Sequence, residues 1–295
     1  MVKVLITGGS GFIGRNLKEG LSDDYLVLAP NSRELDLLDS QAVLEFFVKE
    51  QPSLVIHCAT HDASRSSDKD KKIVLENNLR MFFNLVRAKN SDVRMFYFGS
   101  GAEYSKDHYI PKMKEEYFGK NVPDNQYGFS KYIMAQYIKG FDNIYDLRIF
   151  GCFGKYEDYR IRFISNAICR ALFDEDIEMQ QNVFFDYLYV EDLVKIMRWF
   201  LAQEKLKYRH YNVCTGKVID LCGLAKIVKE CANGEVGIKV AAKGLKPEYS
   251  GDNSRLMEEM GGFEFTGVEV AVSELYDWYA ARKEELDREV LFMDS

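Results

Sequence analysis

The sequence predicts an α/β protein built on a doubly wound parallel sheet, and two observations lead to this fold class. Short apolar runs alternate with segments of helical period through the first half of the chain. The first apolar run, Val4-Leu5-Ile6, is followed by three spaced glycines and then by an apolar helix pattern. Repeated strand–helix units require parallel strands with helices on both faces of the sheet. Functional residues are therefore expected at the carboxyl ends of the strands.

Each element is placed by its apolar pattern. Strands are expected at residues 4–6, 26–28, 54–56, 94–98, 145–150 and 186–190. Helices are expected at residues 40–49, 73–88, 127–138, 162–173, 191–201, 221–231 and 268–291. Ser40 is expected to cap its helix. The polar segment 60–72 is predicted to be either a mobile loop or a cover for a site.

Composition and charge argue against several functional classes. The 295 residues are enough to bury a sizeable core, and the formal net charge of −7 gives no general affinity for nucleic acid or anionic membranes. No signal peptide or membrane-spanning apolar run is evident, so a cytoplasmic protein is expected. The six cysteines include no Cys-x-x-Cys pair, so neither a disulfide framework nor a metal site is expected.

The glycine-rich turn after the first strand indicates a dinucleotide site. Gly8, Gly11 and Gly14 have the spacing G-x-x-G-x-x-G between a strand and a helix. Glycines at such a turn allow a tight bend, a close approach to a pyrophosphate and close packing of helix on strand. The helix N-terminus would then present free N–H groups to the phosphates.

Three further residues could form an acid–base site. Ser100 ends the fourth strand, and Tyr127 and Lys131 lie four residues apart, on one face of the predicted helix. A nearby ammonium favours the phenolate form of a phenol, which can then exchange a proton with a hydroxyl or a carbonyl. A serine hydroxyl can hydrogen-bond the same oxygen. With a nucleotide turn in the same chain, this set predicts carbonyl–alcohol redox chemistry.

These motifs resemble those of the extended short-chain dehydrogenases/reductases, in the NAD(P)-dependent epimerase/dehydratase/reductase branch that modifies nucleotide sugars. The pattern is most similar to that of the GDP-fucose synthase-like keto-sugar reductases. The matching segments run along nearly the whole chain: 7–14, 55–59, 77–79, Ser100, Tyr127 with Lys131, 147–150, 189–192 and 211–213.

The resemblance implies roles for individual residues. Ser100, Tyr127 and Lys131 would be the catalytic set, with Lys131 also holding the nicotinamide ribose. The implied cofactor-binding residues are Gly8, Gly11, Phe12, Ile13, Gly14, Arg33, Asp36, Leu37, Cys58, Ala59, Asn78, Tyr127 and Lys131. The resemblance also implies a Rossmann-type dinucleotide-binding domain at 1–154 plus about 183–214, and a smaller C-terminal α/β substrate domain at about 155–182 and 215–295. A homodimer is expected on the same ground.

The end of the second strand favours NADP(H) over NAD(H). NAD enzymes usually carry an acidic residue there, whereas this chain continues as Ala29-Pro30-Asn31-Ser32-Arg33. Arg33 and Arg15 are candidate partners for a 2′-phosphate, because a guanidinium matches phosphate oxygens. NAD remains an alternative, and Arg33 could instead be a solvated turn residue.

Departures from the family pattern bear on the substrate. The dehydratases carry an Asp-Glu pair where this chain has Gly101 and Ala102, so dehydration is not expected. Gly151 replaces a familiar Asn, and Phe185 replaces the usual Arg. Ala102, Glu103 and Gly151 are the candidate substrate contacts, although Glu103 could be a structural polar residue.

The leading hypothesis is an NADP(H)-dependent oxidoreductase that reduces a keto group of a nucleotide-linked, 4-keto-6-deoxy sugar. One alternative is an NAD-dependent nucleotide-sugar 4-epimerase, which would oxidise and re-reduce a single carbon. An alternative of another class is a non-catalytic NADP-sensing protein on the same fold, since fold alone does not fix function.

Overall fold

The computed structural model describes residues 1–61 and 69–292. Its strands are β1 Lys3–Thr7, β2 Leu26–Leu28, β3 Leu54–His57, β4 Arg94–Ser100, β5 Ile144–Ile149, β6 Gly151–Phe153, β7 Ile177–Phe185, β8 Tyr187–Tyr189, β9 His210–Val213, β10 Ile219–Asp220 and β11 Ile238–Tyr249. Its α-helices are α1 Phe12–Leu21, α2 Ser40–Glu50, α3 Val74–Ala88, α4 Gln126–Ile138, α5 Phe163–Leu172, α6 Val190–Ala202, α7 Leu221–Cys231, α8 Ser254–Met260 and α9 Val268–Ala280.

The larger sheet has the strand order β2-β1-β3-β4-β5-β9, and each neighbouring pair is parallel. The chain leaves β1 first toward β2 and then crosses back to β3 on its other side. The order of the strands therefore reverses next to β1, and ligands of such sheets bind at the carboxyl ends near that point. The predicted α/β fold with a doubly wound parallel sheet is confirmed.

Alternate side chains of the central strands enter two separate cores. Val4 and Ile6 face a core that includes helices α1 and α6, whereas Leu5 faces the core against α2 and α3. This alternation follows from the period of two along a strand. With both faces covered, β1 and β3 each contain a run of three buried apolar residues, and the sequence therefore marks them clearly.

A smaller sheet has the order β10-β7-β11 and carries its own apolar core with α5, α7 and α9. Strands β7 and β11 are parallel and shift register twice, while β10 is antiparallel to β7. A short parallel pair, β6 with β8, follows the end of β5. Strand β7 crosses the predicted domain boundary at residue 183, and the division into two domains stays a prediction.

Several predicted details of the elements are wrong. Asp39, not Ser40, caps helix α2, and its carboxylate accepts hydrogen bonds from the amides of Gln41 and Ala42. The last helix ends at Ala280 rather than at residue 291, and 3₁₀ turns follow it. Strand β11 was not predicted at all, because most of its residues are exposed and its segment lacks a buried apolar run. Among the described residues, no helix is long and apolar enough to cross a membrane.

Candidate active site

The glycine turn joins β1 to α1 and packs closely against other backbone segments. Gly8 has a φ of +71°, and a Cβ on Gly8 would lie 2.8 Å from the amide nitrogen of Ala59. A Cβ on Gly14 would lie 2.8 Å from the carbonyl carbon of Gly8. Glycine is therefore required at both positions. Gly11 caps α1 without a side-chain hydrogen bond, so no cap side chain occupies the first amides of the helix.

This cradle fits a dinucleotide pyrophosphate. The N-terminus of α1 carries a partial positive charge and amides directed outward, and the first turn contains no acidic side chain to repel an anion. Phe12, Ile13 and Cys58 line the adjoining cleft, as predicted for neighbours of the cofactor. The glycine turn thus meets the stereochemical demands of the cofactor that the sequence implies.

Helix α4 brings Tyr127 and Lys131 to Ser100. A Cβ on Gly128 would lie 2.8 Å from the carbonyl oxygen of Ala102, so the missing side chain lets α4 approach the turn after β4 closely. The Asn125 side chain caps the helix by accepting a 2.8 Å hydrogen bond from the Gly128 amide. Close approach and a firm cap fix the first turn of α4, where Tyr127 lies.

The Lys131 side chain is buried, and a hydrogen bond fixes the position of its ammonium group. It is 5% exposed, and its Nζ donates a 2.7 Å hydrogen bond to the carbonyl oxygen of Phe98. The same Nζ lies 5.7 Å from the ring centroid of Tyr127 and 4.7 Å from that of Tyr97. The ammonium is therefore fixed beside the Tyr127 ring, as the four-residue spacing predicts.

Ser100, Tyr127 and Lys131 line one cleft of about 1840 Å³. Phe12 and Ile13, from the start of α1, line the same cleft. The structure therefore brings the predicted acid–base set and the start of helix α1 to a single opening at the carboxyl ends of the strands.

The segment after β2 carries three other predicted cofactor residues. A Cβ on Gly9 would lie 2.7 Å from the Cβ of Ala29, so the end of β2 packs directly against this turn. Arg33 is exposed just beyond that end. Asp36 is exposed and accepts a hydrogen bond from the Leu38 amide, while Leu37 is buried in the core.

Asn78 is buried and connects elements around the site. Its Oδ1 accepts a 2.7 Å hydrogen bond from the His61 amide, and its Nδ2 donates to Ser130 Oγ at 3.3 Å.

His57 is also buried, and its Nδ1 lies 2.7 Å from Thr7 Oγ1. Burial, aided by the Lys131 charge, lowers the pKa of His57 to about 3, so this imidazole is neutral and structural. Residues 62–68 of the predicted covering loop lie outside the described residues.

A buried ionic cluster beneath Ser100 was not predicted. The Arg148 side chain is fully buried, and its Nε lies 2.7 Å from Glu103 Oε2 and 2.9 Å from Asp146 Oδ2. Its Nη1 donates a 2.8 Å hydrogen bond to Tyr104 Oη, and Glu103 Oε1 accepts a 3.0 Å hydrogen bond from the Ser100 amide. A charged residue inside the apolar segment Leu147-Arg148-Ile149 was the available sequence signal.

This cluster corrects the prediction that Glu103 contacts the substrate. Glu103 is 0% exposed and does not line the cleft; its carboxylate is committed to Arg148 and to the backbone below the site. Burial raises the pKa of Glu103 well above its usual value, and neighbouring Asp146 adds to this rise, although Arg148 opposes it. Burial also raises the pKa of Asp146. Glu103 therefore acts on Ser100 only through the hydrogen bond that it accepts from the Ser100 amide.

Ala102 and Gly151 do line the cleft, together with an aromatic wall. A Cβ on Gly151 would lie 2.8 Å from the carbonyl oxygen of Asp186, so this glycine is required where β6 and β8 pair. The aromatic wall consists of Tyr109, Phe150, Phe185, Tyr187 and Tyr249. These five aromatic side chains line the same cleft as Ser100.

Residues 4–214 match the NAD dependent epimerase/dehydratase family. The chain belongs to this family. The family resemblance predicted from the motifs is thus confirmed, and this epimerase/dehydratase-family protein is an enzyme that uses a nicotinamide dinucleotide. Among its described residues, no group of three or more His, Cys, Asp or Glu side chains is placed to hold a metal ion.

Known relatives of this epimerase/dehydratase-family protein include epimerases and reductases. It is 26% identical over 263 residues to the ADP-L-glycero-D-manno-heptose-6-epimerase of Brachyspira hyodysenteriae. The aligned residues make up 77% of this chain and 80% of the relative. Two of the solved structures that share its fold are a reductase and an epimerase. They are the GDP-mannoheptose C4 reductase from Campylobacter jejuni with NADP bound (TM-score 0.82, 19% identity, 94% of this chain and 98% of that chain) and the UDP-glucose 4-epimerase from Thermotoga maritima (TM-score 0.81, 21% identity, 97% and 100%).

Proposed function

We propose that this protein is an NADP(H)-dependent reductase of a keto group on a nucleotide-linked sugar. The observation that carries the proposal is the convergence of Ser100, Tyr127 and Lys131 on one cleft beside the first turn of α1. The family relatives support a sugar-nucleotide substrate, because the heptose 6-epimerase and the C4 reductase are both named for such compounds. A 4-keto-6-deoxy sugar is the substrate class to test first.

Each of the three residues has a distinct task in this reaction. Tyr127 donates a proton to the carbonyl oxygen, and the Ser100 hydroxyl hydrogen-bonds that same oxygen as negative charge develops on it. The buried Lys131 ammonium stabilises the phenolate that remains after proton donation. The reduced cofactor supplies the hydride to the carbonyl carbon. Hydride and proton together convert the ketone to an alcohol.

The preference for NADP(H) rests on the turn after β2. Arg15, one of the two predicted partners for a 2′-phosphate, lies 3.6 Å from the Glu19 carboxylate, and its guanidinium stacks 3.7 Å from the Tyr156 ring centroid. Arg33 is exposed in the segment that follows β2, and its guanidinium forms no ion pair or ring contact among the described residues. The C4 reductase that shares this fold was solved with NADP.

Replacing Arg33 with Ala is expected to raise KM for NADPH roughly tenfold while leaving KM for NADH unchanged. A charge-assisted hydrogen bond to phosphate contributes about 1.5 kcal/mol, and NADH lacks the phosphate. Steady-state kinetics with each cofactor measures the effect, and NADH is the internal control. Equal changes with the two cofactors would show that Arg33 is a solvated turn residue instead.

The function itself is tested by NADPH oxidation with a panel of nucleotide-linked 4-keto-6-deoxy sugars. We expect turnover with at least one GDP-, dTDP- or UDP-linked member and slower turnover with NADH. Isolated protein that turns over none of them, yet releases bound NAD(H) on denaturation, would contradict the reductase proposal and favour the 4-epimerase alternative. The UDP-glucose 4-epimerase that shares this fold supports that alternative.

The alternative of a non-catalytic NADP-sensing protein is set aside, because the family to which the chain belongs is one of enzymes and the cleft retains Ser100, Tyr127 and Lys131. A cytoplasmic location and a homodimeric assembly stay predictions. Size-exclusion chromatography with light scattering would test the second of these.

A further inference from the structure

Glu157 differs from the other carboxyl groups in the wall of the cleft. Among the described residues, the carboxyl side chains that line the cleft are those of Asp107, Glu157 and Glu178. Asp107 is exposed, and Glu178 forms ion pairs with Arg170 and Lys239. Glu157 is 8% exposed and has no ion pair with any described residue. A buried carboxyl group needs polar partners, because burial without them costs free energy.

Only one oxygen of the Glu157 carboxyl group has a partner in the protein. Oε2 accepts a 2.8 Å hydrogen bond from Ser165 Oγ. Oε1 accepts no hydrogen bond from the described residues, yet it is not among the fully buried polar atoms that lack a partner. Oε1 therefore retains some exposure, and the space that Glu157 lines is the cleft. A ligand in the cleft can supply the missing donor.

The turn that carries Glu157 is anchored from two sides. Asn16 Nδ2, on α1, donates a 2.9 Å hydrogen bond to the carbonyl oxygen of Lys155. Tyr279 Oη, on α9, donates a 3.4 Å hydrogen bond to the carbonyl oxygen of Glu157 itself. Between these anchors, Tyr156 has a φ of +70°, which a residue other than glycine keeps only where the surrounding structure holds it. The backbone that presents the Glu157 carboxyl group to the cleft is therefore fixed.

The surroundings of Glu157 allow its carboxylate form near neutral pH. Burial raises the pKa of Glu157 to about 7. The Arg162 charge and the Ser165 hydrogen bond oppose this rise, while Asp158 adds to it. Three titratable neighbours on other elements stay uncharged because burial raises the pKa of each: Cys152 on β6, Tyr187 on β8 and Tyr279 on α9.

The chemistry of a carboxylate limits what Oε1 can bind. A carboxylate oxygen accepts hydrogen bonds and donates none, so Glu157 does not bind the reacting carbonyl oxygen. In a nucleotide-linked 4-keto-6-deoxy sugar, the hydroxyl groups on C2 and C3 are the hydrogen-bond donors of the sugar ring. A site that binds a substrate hydroxyl rejects an analogue without it, because a buried polar group of the protein is then left unpaired.

We propose that Glu157 is a specificity-determining residue whose Oε1 accepts a hydrogen bond from the C2 or C3 hydroxyl group of the substrate sugar. This inference rests on the proposed reductase function. Glu157 takes no part in the transfer of the hydride or the proton and contributes only to binding of the sugar. Its removal should therefore change KM rather than kcat.

Deoxygenated substrates test this contact. The probes are the panel member that the wild type turns over fastest and its 2-deoxy and 3-deoxy analogues. Glu157→Leu is expected to raise KM for the parent sugar roughly 10- to 100-fold, the equivalent of a charge-assisted hydrogen bond, with kcat and the Kd for NADPH unchanged. With one of the two analogues, Glu157→Leu and the wild type are expected to have the same KM, because the hydroxyl group that Glu157 binds is missing.

The pH dependence of KM gives a second readout. In the wild type, KM for the parent sugar is expected to fall as pH rises through about 7, because the Glu157 carboxyl group loses its proton and becomes a stronger acceptor. Glu157→Gln cannot ionise, so its KM should stay constant over this range. Its amide oxygen should restore part of the affinity that Glu157→Leu loses.

Glu45→Leu is the matched control, because Glu45 is exposed on α2 and does not line the cleft. Its KM should equal that of the wild type. The role of Glu157 would be overturned by an unchanged KM in Glu157→Leu, by an equal rise of KM with the parent sugar and both analogues, or by a wild-type pH profile in Glu157→Gln. Wild-type turnover would leave the reductase function standing in each of these cases. A wild-type protein that turns over no panel member would overturn the reductase function and this role together.

Discussion

Replacing Tyr127 with Phe is expected to lower kcat by roughly 10²- to 10⁴-fold, the usual contribution of a positioned general acid. The phenol is the group that lies beside the buried Lys131 ammonium and lines the cleft with Ser100. Phe keeps the ring, so the first turn of α4 and the cofactor cradle retain their packing. The loss should therefore appear in kcat, with the Kd for NADPH changed by less than about threefold.

Two measurements separate this effect from a general defect. Stopped-flow or steady-state turnover gives kcat, and fluorescence titration with NADPH gives cofactor affinity for the same preparation. Tyr137→Phe, which removes a hydroxyl from the same helix away from the cleft, should behave like the wild type. Wild-type turnover in Tyr127→Phe would mean that another group donates the proton.

Replacing Arg148 with Met is expected to lower the free energy of unfolding by about 3–5 kcal/mol, because it leaves two buried carboxyl groups without their cation. Glu103 and Asp146 both lie within 2.9 Å of Arg148 Nε, and all three side chains are at most 1% exposed. Burial alone would lower the pKa of Arg148, but the facing Asp146, Tyr104 and Glu103 raise it, so the guanidinium is charged in the folded protein.

Chemical denaturation measures this loss as a lower midpoint with an unchanged dependence on denaturant. Arg80→Met is the matched control, since Arg80 forms an exposed ion pair with Glu76 one helical turn away. Such a pair contributes at most about 1 kcal/mol. A similar loss in both variants would show that the buried cluster adds nothing beyond a surface ion pair.

Because Glu103 also accepts a hydrogen bond from the Ser100 amide, the Arg148→Met variant is expected to turn over substrate more slowly as well.

The parts of the site that could be predicted from the sequence are the local ones. Gly8, Gly11 and Gly14 mark a strand–turn–helix unit, and at Gly8 and Gly14 a Cβ would lie within 3 Å of backbone atoms. Tyr127 and Lys131 share a helix face because they are four residues apart. In each case, the residues that make the feature are neighbours in the chain.

Two of the errors, at Glu103 and at strand β11, arise where a residue's partner is distant in the chain. The sequence left Glu103 as either a substrate contact or a structural polar residue, and the structure decides for the second through Arg148, which lies 45 residues away on β5. Strand β11 was missed because its side chains are mostly exposed, and it is a strand through its pairing with β7. Hydrogen bonds to a distant strand leave no periodic signal in an exposed segment.

The sequence by itself determined the fold class, the dinucleotide turn and the Ser100, Tyr127 and Lys131 set. Hydrophobic periodicity and glycine stereochemistry act over a few residues and can be recognised without a structure. Only the tertiary structure decided that Glu103 is buried under the site and that Tyr249 reaches the space above Gly101. Both results depend on the folding of remote strands, β5 and β11, against the end of β4. Contacts of that kind are set by packing between elements rather than by any local pattern.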